Sequence, residues 1–309
     1  MDLVSKILKG DKRSIARLIT LVEEQADEAR GILKQLYRFT GNGVTIGITG
    51  PPGAGKSSIV NLLAKRFRQS NKKVGIIAID PTSPFTGGAL LGDRIRMQDL
   101  TLDEGIYIRS MGSRGALGGL SRASFDAVKV LDAAGMDYII TETVGVGQSE
   151  VDIIKLADIV MLVLVPGMGD EIQAIKAGIM EIADIFVVNK ADMSGSDRLV
   201  NEIKMYLDLN PDKGKIKPKI VKTVAATGEG IEELKNTILE VQKQQEEVGL
   251  LAEKRKARIN YELRELIREI HMKKIVSTFE TQIDDFVEKV CKKEVDPYSA
   301  ANSILKNLN

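Results

Sequence analysis

Hydrophobic and polar residues follow three different patterns along the chain. Over residues 2–38 the apolar positions recur mostly every three or four residues with charges between them, which predicts helix. Short continuous apolar runs then alternate with amphipathic stretches, and the last part of the chain is again helical in pattern. The pattern predicts three parts: an N-terminal helical segment (1–42), a strand-containing domain (43–245) and a C-terminal helical arm (246–309).

Seven short apolar runs in the middle part are predicted strands. Most are continuous and rich in β-branched residues, as strands buried on both faces of a parallel sheet are. Helical patterns separate most of them, which favours an α/β fold with an open, mostly parallel sheet flanked by helices, whose ligands bind at the carboxyl ends of the strands. The runs are VTIGIT (44–49), VGIIAI (74–79), IYIRS (106–110), DYIIT (137–141), IVMLVLV (159–165), IFVVN (185–189) and PKIVKTV (218–224).

The C-terminal part is long, charged and helical. A last short helix is expected after Asp296-Pro297, because Asp suits an N-cap and Pro suits the first turn. The apolar stripe of the long helix is too long for one domain to bury easily, so we expect it to help form a homodimer. Its members are Leu263, Ile267, Ile270, Ile275, Phe279, Ile283, Phe286 and Val290.

Composition narrows the class of protein. Lys and Arg number 44 and Asp and Glu number 43 among 309 residues, and this balance gives no sign of binding to nucleic acid or to an anionic membrane. One cysteine, Cys291, and one histidine, His271, exclude a disulfide framework and argue against a Cys/His zinc site. No run approaches the roughly 20 apolar residues of a membrane span, and no secretory signal is readable. We therefore expect a cytoplasmic protein with no nucleic-acid or membrane partner.

The segment after the first predicted strand, GPPGAGKSS, fits the phosphate-loop pattern G-x-x-x-x-G-K-[ST]. Small residues let backbone N–H groups surround phosphates, while the lysine can reach the β and γ oxygens and the serine hydroxyl can bind Mg²⁺. A glycine turn before a lysine is the alternative, but the position between a strand and a helix favours the phosphate loop. The predicted nucleotide-binding residues are Gly50, Pro51, Pro52, Gly53, Ala54, Gly55, Lys56, Ser57 and Ser58.

Acidic residues follow two of the predicted strands. In YIITETVGVGQSE, Glu142 can place a carboxylate close to the metal and the backbone N–H of Gly145 can sense a γ-phosphate, although a solvated strand end would show the same letters. Asp80 directly follows the second strand. One interpretation is functional, as an outer partner of the metal or a group that orients water. The alternative is that Asp80 only begins an Asp-Pro turn. Asp93 and Arg96, in TGGALLGDRIRM, either report on nucleotide state or are surface charges.

The sequence VVNKAD at the end of the sixth predicted strand contains the guanine-reading pattern Asn189-Lys190-x-Asp192. The carboxylate of Asp192 can accept from both N1–H and N2–H₂ of guanine, and sites built on such hydrogen bonds discriminate by up to about 10⁴–10⁵-fold. Ala225 and Ala226 follow the seventh strand, where a backbone N–H can meet guanine O6. The two motifs together predict binding of GTP and GDP, with hydrolysis by Mg²⁺-assisted attack of water on the γ-phosphate.

Taken together, these motifs resemble the MeaB/ArgK-type P-loop GTPases. The resemblance covers about residues 5–245 and implies a homodimer whose GTP cycle gates cofactor loading into an adenosylcobalamin-dependent acyl-CoA mutase, of the methylmalonyl-CoA mutase type, and protects that mutase. It also implies slow intrinsic hydrolysis that the mutase stimulates. The segments that carry it are GITGPPGAGKSS, IAIDPTSPFTGGALLGDRIRM, MGSRGALGGLS, DYIITETVGVGQSE, VLVPGMGDEIQAIKAG and VVNKAD.

The resemblance implies roles for individual residues. Arg96 is expected in the first switch, and Lys56 and Gly145 are expected at the phosphates. Four oxygen-bearing side chains are expected around Mg²⁺: Ser57, Asp80, Asp93 and Glu142. Three residues of GMGDEIQAIKAG are expected to couple nucleotide state to the partner: Asp170, Gln173 and Lys176. From pattern alone this last segment is only a strand-to-helix turn.

Other functions stay open at this point. A metal-delivery GTPase of the nickel-chaperone type would need Cys or His to carry its cargo, and the chain offers Cys291 and His271. An older label of the family is a kinase acting on a periplasmic amino-acid-binding protein, for which no phosphoacceptor residue is identifiable. A partitioning ATPase requires a lysine at the position of Pro51, and the guanine motif also argues against it. A signal-recognition GTPase requires a methionine-rich domain, which the 10 scattered methionines do not form.

Overall fold

A computed structural model of the chain divides into two compact units, Met1–Lys254 and Arg255–Asn309. The helices that precede residue 43 belong to the same unit as the strands. The division into three parts stays a prediction. The structure describes residues 2–80, 98–112, 122–143, 153, 155–167, 180–209 and 216–306.

The first unit contains a sheet of seven strands in the order β3-β2-β4-β1-β5-β6-β7, and every neighbouring pair is parallel. β1, β4, β5 and β6 are buried along their whole length, which is why they read as continuous apolar runs. The predicted α/β class is confirmed, and each predicted strand agrees with an observed one to within two residues at either end. The strands are β1 (Val44–Thr49), β2 (Val74–Asp80), β3 (Ile106–Gly112), β4 (Tyr138–Thr143), β5 (Ile159–Leu164), β6 (Ile185–Asn189) and β7 (Lys219–Thr223).

Helices cover both faces of the sheet. Alternate residues of β5 point to opposite faces: Met161 packs in the core that includes residues of α4 and α8, and Leu162 packs in the core that includes residues of α7. The described helices are α1 (Leu3–Leu8), α2 (Lys12–Glu23), α3 (Asp27–Leu36), α4 (Lys56–Gln69), α5 (Gln98–Thr101), α6 (Arg122–Ala133), α7 (Ser196–Leu209), α8 (Ile231–Glu247), α9 (Leu250–Cys291) and α10 (Pro297–Lys306).

The helical pattern over residues 2–38 corresponds to three helices and a short 3₁₀ turn, with breaks between the helices. Gly10 (φ 79°) and Gln25 (φ 55°) adopt left-handed conformations that cannot continue a right-handed helix. The middle helix, α2, packs against α6. It is also tied to the edge strand β3, where Arg109 forms an ion pair with Glu23 and donates to Thr20 Oγ1 over 3.1 Å.

The second unit consists of most of α9 together with α10. The long helix is kinked at Phe279, whose φ of −115° and ψ of 18° are not helical. Asp296 Oδ1 accepts the backbone N–H groups of Tyr298 and Ser299, each over 3.0 Å, so the predicted short helix after Asp296-Pro297 is confirmed. In the ranges that the structure describes, no helix is both long enough and apolar enough to cross a membrane.

Candidate functional site

The candidate site lies at the carboxyl ends of the central strands. Because all the strands are parallel, these ends meet at one edge of the sheet, where ligands of open α/β folds bind. The loop Gly50–Gly55 leaves β1, which lies between β4 and β5. Glu142 is at the end of β4 and Asn189 ends β6. Segments that are far apart in the sequence thus form one site.

Two glycines give the phosphate loop its shape. Gly50 (φ 137°) and Gly55 (φ 90°) have backbone conformations that favour glycine. A Cβ atom at Gly50 would lie 2.2 Å from the carbonyl oxygen of Val163, and one at Gly55 would lie 2.3 Å from Nδ2 of Asn189. The loop is therefore a tight turn packed against two other strands, and it leads directly into α4.

The first turn of α4 is not capped by a side chain. Gly55 occupies the N-cap position and, because it has no side chain, it leaves the helix without a side-chain cap. The N–H groups of a first helical turn have no partner within the helix, and they carry the positive end of the helix dipole. This end of α4 is accordingly suited to bind a phosphate group.

Lys56, the first residue of α4, is only 6% exposed. Its ammonium group donates to the carbonyl oxygens of Gly50 over 2.6 Å and Pro51 over 3.0 Å. The side chain therefore folds back across the phosphate loop and holds a positive charge there. A phosphate oxygen is a stronger partner for an ammonium group than a neutral carbonyl, so a bound nucleotide can take over these bonds.

Ser57 and Glu142 bring two oxygen-bearing side chains together beside the phosphate loop. The hydroxyl of Ser57 donates to Glu142 Oε1 over 2.6 Å, across 85 positions of sequence. Glu142 is 2% exposed and reaches this position because it pairs with Ile48 near the end of β1. A hydroxyl and a carboxylate next to a phosphate cradle are hard oxygen ligands of the kind Mg²⁺ prefers, so the residues present fit this metal.

Asp80 ends β2, the strand adjacent to β4, at the same edge of the sheet. Its backbone pairs with Gly112 of β3, while its side chain lies outside the described part of the chain. The role predicted for Asp80 near the metal remains a prediction.

Asn189 joins the phosphate loop to the strands that hold the base-reading segments. Its side chain is 2% exposed, and Nδ2 donates to the carbonyl oxygen of Ala54 over 2.8 Å. Its Oδ1 accepts from the hydroxyl of Thr223 and from the backbone N–H of Ala225, each over 3.1 Å. Sequence reasoning missed Thr223. A polar residue at the end of a buried strand was the signal that could have found it.

The other two residues of the guanine motif are accessible. Lys190 has a φ of 54°, which is unusual for a residue other than glycine, and turns the chain directly after β6. Lys190 and Asp192 are both exposed, so the carboxylate is open to a base. Because the N–H of Ala225 is bonded to Asn189, the N–H of Ala226 is the remaining candidate donor to guanine O6.

Six predicted functional residues lie outside the described residues. They belong to the proposed switches and to the segment after β4, and their roles stay predictions. They are Asp93, Arg96, Gly145, Asp170, Gln173 and Lys176.

Comparisons with known proteins show the family of the chain. The family model described as methylmalonyl Co-A mutase-associated GTPase MeaB matches residues 15–280. A protein of Pyrococcus horikoshii named as a GTPase is 53% identical over 310 residues, covering 99% of this chain and 98% of that protein. The mouse methylmalonic aciduria type A homolog, mitochondrial, is 34% identical over 324 residues, covering 98% of this chain and 78% of its own length.

Among solved structures, a LAO/AO transport system kinase superimposes with a TM-score of 0.72 at 24% identity. The match covers 99% of this chain and 96% of that one, and it shows that the two share a fold. The phosphate loop, the guanine motif and the family match lead to the same conclusion. The chain is a GTPase, and it belongs to the methylmalonyl-CoA mutase-associated (MeaB) family of P-loop GTPases.

Proposed function

We propose that this GTPase is a chaperone of an adenosylcobalamin-dependent acyl-CoA mutase of the methylmalonyl-CoA mutase type. In this proposal its GTP cycle gates cofactor loading and protects the mutase. The observation that carries the proposal is the family match over residues 15–280, since the description of that family names the mutase.

The site supports a division of labour during hydrolysis. In this proposal Lys56 leaves its carbonyl partners to bind the β and γ oxygens, and Ser57 and Glu142 would hold Mg²⁺. The metal would supply positive charge that stabilises the charge developing on the phosphates. Asp192 selects guanine, and Asn189 fixes the loop relative to the base-reading segment.

A partner that stimulates hydrolysis is consistent with the sequence after β4. In several GTPases a glutamine directly follows the glycine that senses the γ-phosphate, and it orients the attacking water. In this chain Val146 follows Gly145. We infer that intrinsic hydrolysis is slow and that the mutase completes the arrangement through the segment that contains Asp170, Gln173 and Lys176.

The test is GTP hydrolysis by the purified chain with and without a methylmalonyl-CoA mutase. We expect the mutase to increase the turnover number at least tenfold, and we expect Lys176→Ala to reduce that increase. Lys204→Ala, an exposed lysine of α7, is the control and should respond like the starting protein. An equal rate with and without mutase would contradict the mutase partnership and leave the GTPase assignment intact.

We also propose that the chain forms a homodimer through α9. Four large apolar residues of this helix, spaced by four, four and three positions, are each more than half exposed. At this spacing they form one stripe on the helix. The residues are Ile259, Leu263, Ile267 and Ile270. A stripe of this kind is suited to pack against the same stripe of a second copy.

Light scattering on the full-length chain tests the dimer. Leu263→Lys combined with Ile267→Lys should convert a dimer into a monomer, because two charges would then lie within the buried seam. The matched control is Arg264→Ala with Arg268→Ala, two exposed positions that each lie about 100° around the helix from a stripe residue, and this variant should stay dimeric. A dimer that survives the paired lysine substitutions would contradict this interface.

A further inference from the structure

A cavity of about 630 Å³ lies between α1 and the start of α2, apart from the nucleotide site. Four cations, one acid and one hydroxyl contribute to its wall: Lys6, Lys9, Arg13, Arg17, Asp11 and Ser14. The volume falls within the range of roughly 300–1,000 Å³ that is typical of small-molecule sites. Neither the guanine motif nor the phosphate loop accounts for this cavity.

The local sequence builds the cavity by reversing the chain between two capped helices. The N–H of Gly10 donates to Ile7 over 2.8 Å and the N–H of Asp11 donates to Lys6 over 3.1 Å, which ends α1 in a Schellman motif. Asp11 then caps α2, because its Oδ1 accepts the N–H of Ser14 over 2.8 Å. The Schellman motif and the Asp11 cap together fix α1 and α2, which form the walls of the cavity, relative to each other.

Packing of α2 directs two arginines outward. The helix buries one face, including Ile15 and Leu18, against the rest of the unit. Arg13 and Arg17 are four positions apart and exposed, so they lie one above the other on the opposite side. Two guanidinium groups on one rigid helix face can bind neighbouring phosphate groups bidentately.

The lysine and arginine side chains of this segment differ in their contacts. Lys12 donates to the carbonyl oxygen of Asp103 over 2.7 Å. By contrast, within the described ranges no side-chain ion pair or hydrogen bond involves the other cations of this segment: Lys6, Lys9, Arg13 and Arg17. The segment 2–17 contains five Lys and Arg but only two Asp, in a chain whose net charge is +1. The positive charge is thus concentrated at the cavity.

The field of these cations reaches the acid beside them. The pKa of the Asp11 carboxyl is lowered, mainly by its hydrogen bonds with Ser14 and to a smaller extent by the charges of Lys6 and Arg13. Four cations and this one carboxylate leave three net positive charges around the cavity. Two phosphate monoester groups carry a charge of about −3 to −4, which matches them in magnitude.

We propose that this cavity binds a multiply phosphorylated small molecule, as a second ligand in addition to the nucleotide in the phosphate loop. The small size of the site favours a small molecule over an acidic protein segment, because a stable protein interface needs about 800 Å² from each partner. The proposal does not rest on the mutase partnership.

Calorimetry with 2,3-bisphosphoglycerate tests the proposal while GDP and Mg²⁺ saturate the phosphate loop. We expect one bisphosphate per chain, with an affinity that falls as salt is raised. Arg13→Gln combined with Arg17→Gln should weaken binding by about 100-fold, since each charge-assisted contact contributes roughly tenfold. Lys34→Gln with Lys204→Gln, two exposed lysines of α3 and α7, is the control and should bind like the starting protein.

Two further measurements keep the test decisive. GDP affinity and the melting temperature should be unchanged in the arginine variant, and Lys6→Gln with Lys9→Gln should also weaken bisphosphate binding if the arginine variant does not fold. Absence of bisphosphate binding, or equal affinity in the starting protein and the variants, would overturn the proposal. Tighter binding of an oligoglutamate peptide than of the bisphosphate would also overturn it, in favour of a protein partner.

Discussion

The two ends of the nucleotide site are built in different ways. At the phosphate end the functional side chains are bonded to the protein itself: Lys56 to two loop carbonyls, and Ser57 to Glu142. At the base end Asn189 is buried and bonded, whereas Asp192 is exposed. The phosphate end must therefore exchange internal bonds for bonds to the ligand, and the base end presents its reading group in advance.

This difference separates affinity from specificity. Phosphates are common to all nucleotides, so changes at the phosphate end should weaken binding of every nucleotide alike. The base is what distinguishes nucleotides, so changes at the exposed carboxylate should alter which nucleotide binds. Substitutions at the two ends should consequently give different patterns of loss.

Asp192→Asn should have the largest effect. An asparagine amide can donate to the C2 carbonyl of xanthine but opposes the 2-amino group of guanine, so the preference for GTP over XTP should fall by about 10³–10⁴-fold. Competition binding with the two nucleotides measures this ratio. If the starting protein binds ATP and GTP equally well, the base assignment is wrong.

Lys56→Ala should weaken GTP and GDP binding by about 10–100-fold, because a charge-assisted bond to phosphate is lost. The ratio of GTP to XTP affinity should stay unchanged, in contrast to the previous variant. Calorimetry measures both affinities, and Lys65→Ala on the same helix is the control. A variant that binds GTP as tightly as the starting protein would show that the lysine stays with its loop carbonyls.

Glu142→Gln should shift the Mg²⁺ dependence of hydrolysis to concentrations about 10–100-fold higher, as changes near metal ligands typically do. The glutamine can still accept from Ser57 but has no charge for the metal. Affinity for GDP in EDTA should stay the same. An unchanged Mg²⁺ titration would remove Glu142 from the metal site.

Thr223→Val should have the smallest effect, a loss of about 1 kcal/mol in the free energy of unfolding, because Asn189 Oδ1 loses one of its two donors. Urea unfolding of the nucleotide-free protein measures it. Thr223→Ser keeps the hydroxyl and should retain the stability. Equal stability of the valine variant would show that the N–H of Ala225 alone holds the Asn189 side chain.

Local patterns predicted the strands and the phosphate loop because their physical causes are local. A strand such as β5 is buried on both faces, so its composition alone marks it. The glycines of GPPGAGKSS are required by the backbone conformation at Gly50 and Gly55. The break between α2 and α3 was not predicted, because Gln25 adopts a left-handed conformation that glutamine rarely takes.

Sequence by itself determined the fold class, the phosphate loop and the guanine motif, because these depend on residue type and close spacing. Only the tertiary structure decided the order of the strands and the contacts that follow from it: the bond between Ser57 and Glu142, and the clamp of Asn189 on Ala54 and Thr223. Such contacts join residues that are far apart in the chain. Their formation depends on which strands become neighbours, and no local pattern encodes that choice.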